Sequence, residues 1–269
     1  MAKTVLEDKQ QYYNKKTRPF QETIETILAR ERSVLEDIEK DNAKAGLKRI
    51  KLADEMQNLA SNYIVLSGIS QSVQKIRNEE ALNEGRKALY KAVIYLEEVV
   101  SNYVDAAYSE YEERLEGIAS VDVKQRYYLI RKLGFSIDLL KNAYGNNTKW
   151  KWSFVELEGR YATVAKNLCN LKNAVANTDP RSPDYEPMVR YLQLIKKLLN
   201  QSANRYREKY ELSTNNIDDF KMGLNFLSAL KRINNVLGDR EELDEIKKKL
   251  DSWTAKLEKD TQSRKQREE

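Results

Sequence analysis

The sequence predicts an all-α protein, an elongated bundle of long antiparallel helices with coiled-coil-like packing. The chain has only 9 glycines and 4 prolines among its 269 residues, whereas a β-sandwich or barrel needs many turns. Apolar residues recur every three or four positions, which is the period of a helix, and alternation at period two is absent. A charged fraction of 33% beside a hydrophobic fraction of 41% favours helices that bury a stripe rather than a full face.

Successive runs of apolar residues show the helical period along the chain. They span residues 52–76, 89–118, 130–144, 157–175, 188–206, 220–237 and 243–257. No proline occurs between Pro19 and Pro180, and the other three prolines cluster in one segment. The pattern divides the chain into an N-terminal arm at 1–19, a long-helix region at 20–178, a proline-rich loop at 179–187, C-terminal helices at 188–259 and a polar tail at 260–269 that we expect to fray.

Glycine, asparagine, aspartate and serine residues after the apolar runs mark the predicted helix ends. These breaks fall at 117–122, 145–148, 213–218 and 238–239. Gly238 and Asp239 are typical of a glycine that ends one helix and an aspartate that caps the next. The segment 83–85 either breaks or only kinks the first helical region. Residues 20–116 could therefore form one continuous helix or two helices. We expect two helices.

The chain contains no histidine, which excludes a Ser-His-Asp triad, imidazole metal ligands and an imidazole general base. Glycine-rich phosphate-binding loops are also missing. Acidic clusters occur at 97–98, 110–113 and 241–242, where neighbouring lysines and arginines favour solvated, ion-paired helix faces. We therefore expect no catalytic, cofactor or metal site, and an all-carboxylate metal site is the enzymatic alternative. Cys169, the single cysteine, lies in an apolar repeat and is expected to be a small buried core residue.

The net charge of +5 is mild, and acidic and basic residues are interleaved, which disfavours nucleic-acid binding. Four basic clusters could still converge on a concave face and bind anionic lipid, as in a BAR-like membrane scaffold. They comprise Lys44, Lys48, Arg49 and Lys51; Arg86, Lys87 and Lys91; Lys124, Arg126, Arg131 and Lys132; and Lys247, Lys248 and Lys249. Acidic residues adjoin most of them, so membrane binding is the alternative hypothesis. No apolar run reaches the roughly 18 residues that a membrane-spanning helix needs.

Tyrosine is frequent, with 16 residues against 5 phenylalanines. The adjacent pairs at 12–13 and 127–128 cannot all face a core, because neighbouring side chains on a helix point in different directions. A second group of aromatic residues, between Tyr144 and Phe154, lies on both sides of the predicted turn at 145–148 and alternates with lysines. Trp and Tyr are enriched at protein interfaces, so both groups form the candidate protein-binding surface. Its members are Tyr12, Tyr13, Tyr127, Tyr128, Tyr144, Trp150, Trp152 and Phe154. The alternative for the second group is a hydrophobic cap on the tip of a helical hairpin.

The histidine-free, lysine-, asparagine- and tyrosine-rich character of these long helices resembles the flagellar coiling proteins of spirochaetes, most strongly from Asp41 to Trp152. The resemblance implies a non-enzymatic structural protein in the sheath of the periplasmic flagellar filament. It further implies binding to flagellar core and sheath proteins, a contribution to motility, and export with a signal segment removed ahead of Met1. Without export, the expected location is the cytoplasm.

Overall fold

The computed structural model describes residues 2–145 and 148–268, with the side chains of 8–145, 148–264 and 266. The all-α prediction is confirmed, because every regular element in these residues is helical. Their α-helices are α1 (Ala2–Lys40), α2 (Ala45–Gln74), α3 (Glu79–Val99), α4 (Glu112–Glu116), α5 (Val123–Tyr144), α6 (Lys151–Leu168), α7 (Leu171–Asn177), α8 (Tyr185–Lys209), α9 (Ile217–Leu237) and α10 (Arg240–Glu268). A 3₁₀ turn at Tyr108–Glu110 and a π turn at Tyr210–Thr214 accompany them.

The helices group into two compact units. In the described part of the chain, unit 1 comprises 2–99, 116–119, 128–145 and 148–149, and unit 2 comprises 100–115, 120–127 and 150–268. Unit 1 therefore holds α1, α2, α3 and most of α5, whereas unit 2 holds α6 to α10. Among the described residues, no helix combines the length and the apolar character needed to cross a membrane.

In unit 1, α2 packs against both α1 and α3. The buried residues of α2, among them Leu52, Met56 and Leu59, cover a wide face of the helix, as expected for a helix with neighbours on two sides. A polar cluster centred on the buried Glu31 joins α1 to α3. The Glu31 carboxylate accepts hydrogen bonds from Tyr95 Oη at 2.5 Å and from Lys91 Nζ at 2.9 Å. These partners offset the cost of burying the Glu31 carboxylate, which is only 4% exposed.

The region 20–116 contains more helix ends than the sequence predicted. α1 passes through Pro19, which lies on the exposed side of the helix, and ends at Lys40. α2 and α3 follow as separate helices. The breaks before and after α2 place Lys44 and Lys75 at φ angles of 57° and 62°, a conformation that usually favours glycine. The expectation of two helices in residues 20–116 was therefore wrong. The sequence did not reveal these two breaks because no glycine marks them.

The segment 83–85 does not interrupt α3. Gly85 is buried within this helix, on the side that faces α2. A Cβ at this position would lie 3.4 Å from Tyr63 Cβ and 3.5 Å from the Ala60 carbonyl oxygen. These are ordinary van der Waals distances, so the glycine neither ends the helix nor is required by its packing.

In unit 2, α8 packs against α6 and α9, and α9 packs against α10. Aromatic rings form the centre of this packing. The Tyr206 and Phe226 rings stack with centroids 5.6 Å apart, and the Phe220 and Trp253 centroids are 5.8 Å apart. Trp253, the third tryptophan, is thus a core residue, with 4% of its surface exposed.

Two helix junctions of the C-terminal half contain the proline-rich segment and Gly238. α7 ends at Asn177 and α8 begins at Tyr185, so the proline-rich segment connects them and Pro187 lies in the first turn of α8. There its missing N–H costs no helical hydrogen bond. Gly238 ends α9 with a φ of 72° and Asp239 precedes α10. Local backbone preferences determine these ends, which is why the sequence predicts them.

The tail at 260–269 differs from its prediction, because α10 continues to Glu268. The start of the tail is held by side-chain contacts. Tyr210 Oη donates to Asp260 Oδ2 at 2.8 Å, and Lys256 Nζ lies 3.2 Å from the same oxygen. The fraying expectation rested on the absence of apolar residues and did not include polar contacts of this kind.

Candidate functional site

The eight predicted interface residues fall into three classes of exposure. Tyr12 and Tyr128 are exposed, Tyr13, Tyr127, Trp150 and Trp152 are half-buried, and Tyr144 and Phe154 are buried. The last two face the cores because they continue the apolar stripes of α5 and α6. Tyr144 belongs to unit 1, whereas Trp150, Trp152 and Phe154 belong to unit 2. Tyr144 and Phe154 are therefore corrected from surface to core residues. Asn146 and Asn147, within the predicted turn, lie outside the described residues.

Two of the half-buried aromatic residues make defined contacts in unit 2. The Tyr127 ring lies 6.0 Å from the Tyr191 ring between centroids. Lys151 Nζ lies 4.5 Å from the centre of the Trp152 ring and 3.1 Å from the Glu208 carboxylate on α8. Trp152 is consequently placed by a cation–π contact and keeps part of its ring at the surface.

The most exposed aromatic surface on α5 consists of Tyr128 and Phe135, which we call the outer aromatic pair. Their exposed fractions are 52% and 62%. They are seven residues apart, so they share one face of the helix about 10.5 Å apart along its axis. Buried Ile130, Leu133 and Ile137 occupy other positions of the helix. Phe135 is not among the predicted interface residues, although its spacing of seven from Tyr128 was a usable signal.

Basic residues from each predicted cluster are paired with acids or buried. The pairs are Arg49 with Glu98 at 2.6 Å, Lys87 with Glu84 at 2.6 Å, Lys91 with Glu31 at 2.9 Å, Lys132 with Asp54 at 2.6 Å and Lys247 with Asp244 at 3.1 Å. Arg126 is buried and donates to the Leu168 carbonyl oxygen at 3.1 Å. These contacts reduce the positive charge that the clusters offer to an anionic surface.

Unit 2 contains an apolar pocket of about 410 Å³, which we call the Lys166 pocket. Four segments line it: the last turn of α6, α7, α9 and the segment 106–111. The apolar lining comes chiefly from Leu171, Val175, Ile233 and Val236. Its volume lies within the usual range for small-molecule sites, about 300 to 1,000 Å³.

Lys166 brings an ammonium group into this apolar lining. The residue is 3% exposed, its Nζ donates to the Ala106 carbonyl oxygen at 3.0 Å, and Nζ lies 5.4 Å from the centre of the Tyr111 ring. In the described part of the chain Lys166 forms no ion pair. The Tyr111 hydroxyl is also buried and has no hydrogen-bond partner there. Both groups can donate to an oxygen acceptor.

Burial lowers the pKa of the Lys166 ammonium from its ordinary value of 10.5 to about 8. Arg232 acts in the same direction by repulsion, whereas the carboxylates of Asp105 and Glu110 oppose it. Burial also raises the pKa of the Tyr111 hydroxyl. Both groups are therefore favoured in their neutral forms relative to the same groups in water.

The two other basic residues of the lining already have carboxylate partners. Arg232 pairs with Asp105, and Lys172 Nζ lies 2.8 Å from Glu112 Oε1. Their positive charges are thus partly neutralised at the rim. Lys166 differs because the polar partner of its Nζ is a neutral carbonyl oxygen, that of Ala106.

Polar side chains fix the end of α6 against the irregular segment that follows α3. Asn167 Nδ2 donates to the carbonyl oxygens of Ser101 and Tyr103 at 2.9 and 3.1 Å. Tyr191 Oη donates to the Ala165 carbonyl oxygen at 2.9 Å. These hydrogen bonds hold backbone that has no helical partners of its own, and so they position the wall of the pocket.

The expectation for Cys169 is confirmed. It is a buried free cysteine with 1% exposure, and burial raises its pKa to about 12. Within the described residues, no group of three or more acidic or cysteine residues has a geometry that could hold a metal ion.

The fold and sites define the class as an all-α protein of helical units, with an aromatic surface on one helix and an apolar pocket at the end of another. The chain belongs to the TP0443 family, whose family model matches residues 9–261. Searches of curated proteins and of solved structures each found no significant match.

Proposed function

We propose that the protein is a non-enzymatic helical assembly protein that binds other proteins through exposed aromatic side chains. Its proposed setting is the sheath of a periplasmic flagellar filament, where lateral contacts with core and sheath proteins contribute to motility. The observation that carries the proposal is the outer aromatic pair of α5, with Tyr128 and Phe135 more than half exposed on one face.

The outward positions of a surface helix are normally polar. Covering an exposed Phe side chain is worth about 1.5 to 3 kcal/mol, so Tyr128 and Phe135 favour a partner that removes them from water. Their separation of seven residues is one heptad, the spacing at which the side chains of a second helix pack between them. The partner is therefore proposed to present a helix.

Charged residues of both signs border the pair. Arg131 lies between Tyr128 and Phe135, and Asp138 follows three residues after Phe135, both exposed. An apolar centre with a charged rim is the usual arrangement of a protein interface, in which a few aromatic anchors contribute most of the binding energy. The flagellar setting is supported by the resemblance to flagellar coiling proteins, in which Tyr128 falls within the most similar region.

The test is cosedimentation with isolated periplasmic flagellar filaments of a spirochaete. Wild-type protein should sediment with the filaments, whereas the double variant Tyr128→Ala/Phe135→Ala should remain largely in the supernatant, because both anchors are lost. Tyr103→Ala is the matched control. Tyr103 is 69% exposed and lies outside α5, so its removal deletes a similar aromatic surface without touching the pair.

Two results would contradict the proposal. Wild-type protein that stays in the supernatant would exclude the filament as partner, and a double variant that sediments like wild type would exclude the α5 surface. Trp152→Ala tests the second predicted surface in the same assay. Circular dichroism of each variant verifies that helix content is retained.

The BAR-like membrane scaffold remains the alternative. The ion pairs of the basic clusters disfavour it, because a lysine bound to a carboxylate contributes less to attraction by anionic lipid. Sedimentation with anionic vesicles at low salt tests it directly, and strong binding there would favour the scaffold over the assembly protein.

A further inference from the structure

The Lys166 pocket combines an apolar lining with a buried ammonium group. Such a group is unfavourable in an apolar environment unless an opposite charge or several hydrogen bonds compensate it. The Ala106 carbonyl oxygen and the face of the Tyr111 ring compensate Lys166 in part. An ammonium has three N–H donors, and the carbonyl oxygen takes one of them.

We propose that the Lys166 pocket binds a free carboxylic acid with a medium-length hydrocarbon chain, its carboxylate on Lys166 and its chain against the apolar lining. The pocket is distinct from the outer aromatic pair and does not depend on the proposed assembly function.

The chemistry of the donors selects a carboxylate head. An ionised carboxylate is an acceptor of up to four hydrogen bonds, and Lys166 together with the buried, unpartnered Tyr111 hydroxyl supplies donors of the matching kind. The negative charge of the carboxylate would also form an ion pair with the Lys166 ammonium. A dianion such as a phosphate monoester suits the pocket less well, because Asp105 and Glu112 stand beside the rim cations and repel additional negative charge.

The apolar lining of the pocket favours a hydrocarbon chain for the rest of the ligand. Leu171, Val175, Ile233 and Val236 line the pocket. Val175 and Val236 are exposed at its mouth, whereas Ile233 is buried. If each non-hydrogen atom takes roughly the 30 Å³ of a liquid water molecule, the 410 Å³ of the pocket corresponds to about 14 such atoms. Decanoate, a ten-carbon chain with a two-oxygen carboxylate, fits within this volume.

The test is isothermal titration calorimetry of the full chain with decanoate below its micelle concentration. We expect saturable binding with one molecule per chain. Lys166→Met should weaken it at least tenfold, because the methionine keeps the stem and removes the ammonium. Lys221→Met is the matched control and should change the affinity less than about threefold, since Lys221 lies outside the pocket, is exposed and is paired with Asp218.

A second variant and a second ligand keep the test decisive if Lys166→Met fails to fold. Val236→Trp, at a partly exposed position of the mouth, should fill the pocket and weaken decanoate binding at least tenfold. The uncharged 1-decanol should bind at least tenfold more weakly than decanoate. Absence of saturable binding, equal affinity of decanol and decanoate, or full affinity in a folded Lys166→Met variant would each overturn the proposal.

Discussion

Replacing Lys166 by methionine should change how the stability of unit 2 depends on pH. In the folded protein the pKa of Lys166 is about 8, whereas a lysine exposed to water, as in the unfolded chain, has a pKa of 10.5. Between these values the unfolded chain binds more protons than the folded chain, so the free energy of unfolding rises as the pH rises. Each unit of pKa difference is worth about 1.4 kcal/mol, which gives an upper limit of about 3 kcal/mol for Lys166.

The useful window runs from about pH 7.5 to about pH 9.5, where the rise from Lys166 amounts to roughly 2 kcal/mol. Higher pH is avoided because burial raises the pKa of Tyr111. A tyrosine of this kind lowers the free energy of unfolding above pH 10, because the unfolded tyrosine releases its proton there and the folded one keeps it. The difference between wild type and Lys166→Met isolates the lysine from such groups.

Urea unfolding followed by tryptophan fluorescence is the appropriate assay, because all three tryptophans belong to unit 2. Wild type should gain stability relative to Lys166→Met across the window. Lys172→Met, which removes a lysine whose side chain is 67% exposed, should keep the pH dependence of wild type. Parallel curves for wild type and Lys166→Met would refute the reasoning that Lys166 is a desolvated ammonium.

Two further predictions concern packing. Gln57→Met should stabilise unit 1 by about 1 to 2 kcal/mol, because Gln57 is fully buried and neither polar atom of its side chain has a hydrogen-bond partner; urea unfolding followed by circular dichroism measures it. Gly159→Ala should destabilise unit 2 by about 1 to 3 kcal/mol, because its Cβ would lie 2.7 Å from Tyr206 Cε2. Tryptophan fluorescence reports this loss.

Each of these changes has a control. Gly68→Ala lies in α2 at an exposed position with no atom within 4 Å of the new Cβ, and it should stabilise by up to about 1 kcal/mol through helix propensity alone. Equal effects of the Gly68 and Gly159 substitutions would contradict the assigned close contact with Tyr206. A Gln57→Met variant less stable than wild type would show that the amide is satisfied, for instance by water.

The helices and several of their ends were predictable because they depend on neighbouring residues. The period of the apolar residues indicated the all-α class, and Gly238 with Asp239 marked the junction of α9 and α10. The breaks at Lys44 and Lys75 were not predictable, because these residues adopt positive φ angles without glycine. Gly85 gave the opposite error, since it lies inside α3 and does not end that helix.

Parts of the candidate sites were predictable to different degrees. Adjacent tyrosines on a helix face different ways, as Tyr127 and Tyr128 do, but helix geometry alone does not determine which one is exposed. Tyr144 and Phe154 were assigned to a surface because aromatic residues suit both interfaces and cores. Lys166 escaped notice, since a lysine in an apolar repeat is normally solvated at its tip.

The sequence by itself determined that the chain is helical, where many of its helices end, and which imidazole-dependent chemistry is excluded. These properties follow from composition and from interactions within a few residues. Only the tertiary structure decided that Phe135 faces outward on α5 and that Lys166 lies among residues of α7, α9 and the segment 106–111. Exposure and pKa depend on which distant segments surround a side chain, and packing between helices establishes those neighbours.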